Sequence, residues 1–255
     1  MIKNILVTGS TGYVGGRLVP QLLSRGYNVR VLVRNPERLV NRSWHTKVEI
    51  HKGDVLELST LSNLFFDIDF AFYLIHGMSD DQDFETSDLK AAKNFTLAAK
   101  NSGLKKIVYL GGLAETKKKL SKHLLSRYRT GESLRESGQN ILEFRAGVIV
   151  GAGSLSFEMI RHLCERLPIM ICPKWVFTKT QPISITNVLE YLVGSITTDI
   201  PSNEIIEIGG KDVLSYGDMM KRFASVRKLK RYLIPVPVLT PTLSSYWVHW
   251  TTPLS

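Results

Sequence analysis

Apolar residues along this chain fall into two alternating rhythms. Ile5, Leu6 and Val7 form a short strand-like run, followed by a glycine-rich turn. A stretch from about Tyr13 to Arg25 then places Val14, Leu18 and Leu22 on one helical face. Gly26 stands just past its end, where helices commonly stop. Residues Asn28 to Arg34 read as a second strand, which Asn35-Pro36 breaks to open a short helical segment. "VEIHKGDV" reads as a third strand and "LSTLSNLF" as a helix. Asp69 to His76 is nearly continuous in apolar side chains, the mark of a strand covered on both faces. Between Phe84 and Asn101, the spacing of Ala91, Phe95, Ala98 and Ala99 is helical. "KKIVYLGG" is a fifth strand, a helix with Arg127, Leu134 and Arg135 follows, and "NILEFRAGVIVG" is a sixth strand. This alternation predicts an α/β fold with a doubly wound parallel sheet. Right-handed crossovers in such a sheet gather the strand C-termini on one edge, where ligands bind.

Beyond Gly151 the rhythm loosens. "SFEMIRHLCERLP" and "DMMKRFASV" read as helices and "EIIEIGG" as a late strand. The prolines of "LIPVPVLTPTLSSYWVHWTTPLS" exclude one continuous helix or a central strand. The expected organisation is a nucleotide-binding core over 1–151 and an extension over 152–255. That extension completes the sheet and supplies a small substrate-side lobe.

Composition narrows the class. The 255 residues are 44% hydrophobic and 22% charged, ordinary for a soluble globular chain. No run approaches the roughly 18 apolar residues of a membrane span, and the start, whose apolar run already reads as a strand, has no signal-peptide pattern. Cys164 and Cys172 lack His or Cys partners at zinc spacing, so no metal site is expected and both thiols read as buried and reduced. A cytoplasmic location follows. The net charge of +10 suits phosphorylated small molecules, an anionic membrane surface or nucleic acid. Its local peaks, Lys117 to Lys119 and Lys221 to Arg231, lack the aromatic interleaving of a single-strand-binding surface, and nucleic acid is not expected. The basic C-terminal region, with Trp247 and Trp250, is the expected docking element for a protein partner or a peripheral membrane surface.

The turn between the first strand and helix reads G-x-x-G-x-x-G at Gly9, Gly12 and Gly15. Gly9 permits the sharp turn, Gly12 lets a diphosphate lie against the backbone, and Gly15 lets the helix approach the sheet. Amides around Thr11, Tyr13 and Val14 then point at the anion, helped by the helix dipole. The end of the second strand offers Arg34 where NAD-preferring sites carry an acid, which favours NADP over NAD. Asp54 and Val55 after the third strand are candidate adenine contacts, although Asp54 also suits a capping role. Ile75 and His76 after the fourth strand are candidate contacts to the nicotinamide ribose. Arg145, alone in an apolar strand, needs a partner, either a structural carboxylate or an anionic ligand. Trp175 reads as a pocket wall or as core.

"TGSTGYVG", "VRNPER", "GDV", "KNFTLAAKNSGLKKIVYLGG" and "FRAGVIVG" together resemble the atypical short-chain dehydrogenase/reductases. The resemblance is to NmrA-like proteins and to an NAD(P)H-binding branch that is similar to NAD-dependent epimerases and dehydratases. It implies a Rossmann fold and NADP(H) or NAD(H) as cofactor. It also implies a further C-terminal domain in many relatives, whereas this chain stops at Ser255. In the larger superfamily a Tyr with a Lys four residues later handles the proton, and a Ser after the fifth strand orients the substrate. Here Gly111 and Gly112 stand at the Ser position, and the best register places His123 at the Tyr and Arg127 at the Lys. Tyr128 has Glu132, not Lys, four residues on. The expected activity is an NADPH-dependent oxidoreduction of a carbonyl or quinone-like substrate, with His123 and Arg127 as candidate catalytic residues. The alternative is a non-catalytic NADP(H) sensor or assembly subunit.

Overall fold

The computed structural model of the protein describes residues 3–76, 84–113 and 120–236. In chain order it builds β1 (Asn4–Thr8), α1 (Gly15–Ser24), β2 (Asn28–Val33), β3 (Glu49–Lys52), β4 (Phe70–Tyr73), α2 (Phe84–Ala99), β5 (Lys106–Gly112), α3 (Lys122–Arg135) and β6 (Ile141–Ala146). There follow β7 (Ile149–Val150), α4 (Leu155–Arg166), β8 (Ile169–Pro173), β9 (Lys179–Thr180), β10 (Ile183–Ser184), α5 (Ile185–Gly194), β11 (Glu204–Ile208), β12 (Leu214–Ser215), α6 (Tyr216–Val226) and β13 (Tyr232–Val236). The chain divides into two compact units, one of Met1–Ala146 with Thr186–Ile208, the other of Gly147–Ile185 with Gly209–Ser255.

The first unit carries a seven-stranded, all-parallel sheet in the order β11-β6-β5-β4-β1-β2-β3. Strand order reverses between β1 and β4, the switch point where a doubly wound sheet opens a ligand crevice. The continuous apolar run of β4 is buried throughout, from Phe70 to Tyr73. Phe95 of α2 sits edge-on to both Phe65 and Tyr73, each at 4.9 Å. Burying a ring of this size stabilises by about 1.5–3 kcal/mol, so this aromatic stack ties α2 to the sheet. The helix expected over "LSTLSNLF" shrinks to a single 3₁₀ turn, Leu58–Leu61. Asn63 and Asp67 there take φ of 57° and 58°, left-handed values that no continuing helix permits.

The expected sixth strand divides at Gly147, where a Cβ would meet Thr180 Oγ1 at 3.0 Å and the Gln181 carbonyl at 3.2 Å. Ile141–Ala146 stays in the large sheet, and Ile149–Val150 pairs instead with β10. The segment Thr186–Ile208 returns to the first unit, with β11 closing the sheet against β6.

The second unit is built from three small two-stranded sheets, β7 with β10, β9 with β12 and β8 with β13. α4 and α6 enclose a core of Ile160, Leu163, Cys164, Met170, Cys172, Met219 and Met220. Both cysteines are buried and unbridged, and burial raises the Cys164 thiol to about 11, so it stays protonated. Pro235 is tolerated in β13 because that strand pairs on one side only. Trp175 stands edge-on to Tyr216 at 5.8 Å, half-exposed.

Candidate cofactor site and acid/base cluster

The glycine turn has the geometry its spacing demands. Gly9 takes φ +67°, and a Cβ there would lie 2.5 Å from the Leu74 carbonyl oxygen at the end of β4. A Cβ on Gly15 would lie 2.4 Å from the Gly9 carbonyl oxygen, so backbone meets backbone with no flexible side chain to yield. The Gly12 amide donates to the Gly9 carbonyl at 2.9 Å, closing the turn. α1 begins without a side-chain cap and without an acid in its first turn. Among the described residues, no backbone carbonyl accepts from the amides of Tyr13, Val14 and Gly15, the donors a helix start leaves open. Ser10 Oγ and Tyr13 Oη are buried without a partner. An uncapped helix start, a turn with no Cβ to spare and two orphaned hydroxyls fit a dinucleotide diphosphate.

Sequence reasoning missed Arg42. Its Nη2 donates to the Thr11 carbonyl at 2.9 Å, and its Nη1 stands 3.3 Å from where a Gly16 Cβ would be. Nothing in the periodicity marks it, because it reaches the turn from the segment between β2 and β3. Arg34, at the end of β2, is largely exposed and lies 4.0 Å from Asp54 Oδ2. Asp54 Oδ1 accepts from the Leu56 amide at 2.9 Å, a local turn two residues on, while the following helical turn starts at Glu57 without a side-chain cap, so the expected capping alternative for Asp54 is not what forms. The Val55 side chain is buried in the main core and its carbonyl accepts from Asn94 at 2.9 Å. Ile75 packs on the same core, partly buried.

His76 emerges at the end of β4 with an exposed edge. Desolvation by the surrounding protein pushes its pKa from 6.5 down to about 4, reinforced by the Arg127 charge and opposed by Asp88, with His123 a smaller depressing influence. His123 is exposed in the first turn of α3, and Arg127 is half-buried one turn later. The charges of Arg127 and Asp88, and to a smaller extent His123, thus act on His76, and Asp88 comes from α2. Asp88 is buried, and Ser126 Oγ donates to its Oδ2 at 2.7 Å.

The departures from the superfamily pattern have a packing basis. A side chain at Gly112 would meet Leu124 Cδ1 at 2.6 Å and Arg127 Cδ at 3.5 Å, and one at Gly111 would meet Glu143 Oε1 at 3.2 Å. At Gly112 the neighbours are flexible side-chain ends from α3, and at Gly111 they come from Tyr109 and Glu143 of the sheet. Tyr128 faces Arg145, whose guanidinium lies 5.1 Å from the ring centre. Arg145 Nε donates to Glu143 Oε1 at 2.7 Å, and Arg135 pairs with the other carboxylate oxygen. Arg145 therefore has its structural carboxylate, two positions back on its own strand. A Cβ on Gly131 would stand 2.6 Å from Glu143 Oε2, so the helix needs glycine where it crosses this buried cluster.

A family model described as NAD(P)H-binding matches residues 9–140, just over half of the chain. The chain belongs to the NAD(P)H-binding family. It is an atypical short-chain dehydrogenase/reductase that binds a nicotinamide cofactor. Among curated proteins it is 24% identical over 224 residues to a chloroplastic divinyl chlorophyllide a 8-vinyl-reductase of Cucumis sativus, covering 81% of this chain and 52% of that one. It is 26% identical over 118 residues to cinnamoyl-CoA reductase 2 of Medicago truncatula, covering 44% of this chain and 35% of that one. The chain spans about half or less of the length of these relatives. Among solved structures, the Bordetella bronchiseptica enzyme WbmG in complex with NAD superposes with a TM-score of 0.77 at 16% identity, covering 100% of this chain and 90% of that one. That likeness establishes the Rossmann-type fold. No helix among the described residues is long and apolar enough to cross a membrane.

Proposed function

We propose that the NAD(P)H-binding protein is an NADPH-dependent oxidoreductase of the NmrA-like kind, acting in the cytoplasm on a carbonyl or quinone-like substrate. What supports this reading is the placement of His76 past the end of β4 and of Arg127 against Gly112 of β5, on the strand edge that also carries the glycine turn, with Asp88 and His123 acting electrostatically on His76. Such an edge is where hydride chemistry needs its proton donors. The reductase names among the relatives support the reaction class. Gly9, Thr11, Gly12, Tyr13, Val14 and Gly15 hold the diphosphate through backbone, and Arg34 with Arg42 faces the 2′-phosphate side. A bound reduced nicotinamide supplies the hydride. Arg127 supplies a fixed positive charge to draw the substrate oxygen, His123 is the proton donor, and His76 stays neutral beside them. Ser126 holds Asp88 in place behind the cluster.

The purified protein should bind NADPH at least tenfold more tightly than NADH by calorimetry, and Arg34→Ala should erase the difference. With NADPH and a panel of carbonyl and quinone substrates, turnover should appear and His123→Ala should abolish it. Turnover that survives this variant removes His123 from the mechanism. A second reading, a non-catalytic NADP(H) binder, is favoured by the glycines at the serine position and the engaged Tyr128. It expects tight NADPH binding and thermal stabilisation following mass action, with no turnover on any substrate.

A further inference from the structure

β8 and β13 are apolar on both faces, as strands enclosed on both sides are, yet among the described residues only one face is enclosed. Met170, Cys172 and Leu233 point into the core under α4 and α6. On the opposite face, parallel register sets Tyr232 beside Ile169 and Ile234 beside Ile171. These four are 64%, 56%, 48% and 50% exposed, respectively. From those fractions the bare apolar area is on the order of 400 Å², the size that marks an interaction site on a soluble protein. It is about half of the roughly 800 Å² that each partner buries in a stable protein–protein interface.

Charge says what suits it. Because the two strands run parallel, Lys228 and Lys230 before β13 arrive at one end of the patch and Lys174 follows the other end of β8, while Arg231 is turned onto the Cys164 and Glu165 carbonyls. The stretches 161–174 and 221–236 hold nine Lys or Arg and one acid, Glu165, which faces Arg161 and Arg227; Arg161 also pairs with Glu158 and Arg222 with Asp212, and the remaining cations keep this end of the unit positive. Two such faces would repel each other, so a second copy is disfavoured. A flat aliphatic face with an interfacial tyrosine and a basic end matches an anionic bilayer surface instead.

We propose that the exposed Ile169, Ile171, Tyr232 and Ile234 face of the β8–β13 sheet, with its flanking cations, docks on anionic lipid membranes. The side chains enter the headgroup region while the cations meet lipid phosphate, each adding about fivefold in affinity.

The full chain should co-sediment with 3:1 phosphatidylcholine–phosphatidylglycerol vesicles at low salt and not with pure phosphatidylcholine. Ile171→Ser with Ile234→Ser should weaken binding at least tenfold, and so should Lys228→Glu with Lys230→Glu. Lys47→Glu with Lys100→Glu, the same charge change on exposed sites of the first unit, should bind within about twofold of the parent. All are surface substitutions, and an unchanged melting temperature verifies folding. The proposal is overturned if anionic vesicles do not bind the chain, if the isoleucine pair binds like the parent, or if the control pair loses as much as the basic pair. It is also overturned if sedimentation shows a dimer that the isoleucine pair dissociates, since the face then belongs to a second copy.

Discussion

The glycine turn and the acid/base cluster share one sheet edge and are built on opposite principles. The turn is contiguous, made of backbone, and defined by what is missing: a Cβ at Gly9 or Gly15 would strike a carbonyl at 2.5 or 2.4 Å. The cluster is made of side chains from three places in the chain. His76 comes from the end of β4, Asp88 from α2, and Ser126 and Arg127 from α3. A site made of backbone tolerates no added atom. A site made of side chains depends on the helices that carry them, and so on the buried contacts beneath those helices.

The comparison can be broken most forcefully from beneath the cluster. Glu143→Ala leaves Arg135 of α3 and Arg145 of β6 without their shared carboxylate, which should cost about 3–5 kcal/mol. Urea denaturation should show the loss, and His76 should shift in NMR spectra of the folded fraction. Gly15→Ala comes next, at about 1–3 kcal/mol for forcing a methyl onto a carbonyl. In calorimetry it should abolish measurable NADPH binding while leaving the His76 resonance in place. If the two variants produce the same phenotype, the regions are not separable.

A gentler test uses pH. The His76 pKa falls from 6.5 to about 4 on folding, so between these values the unfolded chain binds a proton that the folded chain does not. Stability should therefore be level above pH 6.5, decline as pH falls toward 4 and flatten below it. Arg127→Ala should move the His76 NMR titration upward and Asp88→Asn should move it further down, while neither changes the turn. The smallest effect is at the start of α3, where Ser121 Oγ accepts from the Leu124 amide at 3.3 Å. Ser121→Ala should cost about 0.5–1 kcal/mol in thermal denaturation, and should loosen His123 with no effect on nucleotide affinity.

Much of this was legible beforehand, for local reasons. The β-strand cores, α1, α2 and the glycine turn follow from periodicity and from glycine at positions that need it. The one failed helix, over "LSTLSNLF", fits helical spacing but is overridden by the tight turns at Asn63 and Asp67. Arg42 and Asp88 carried no signal, since each is an unremarkable polar residue until the fold sets it beside the turn or beside His76. Lys117 to Lys119, Trp247 and Trp250 lie outside the described residues.

The sequence by itself determined the doubly wound sheet and the glycine turn, because strand and helix periods and the steric demands of glycine act over a few neighbouring residues. Tertiary structure decided the rest: that β6 ends at Ala146, that Glu143 binds two arginines, that Leu124 and Arg127 lie against Gly112, and that among the described residues one face of β8 and β13 is left bare. Each of those depends on which distant segment arrives at a given surface, and no spacing along a single stretch of chain encodes that.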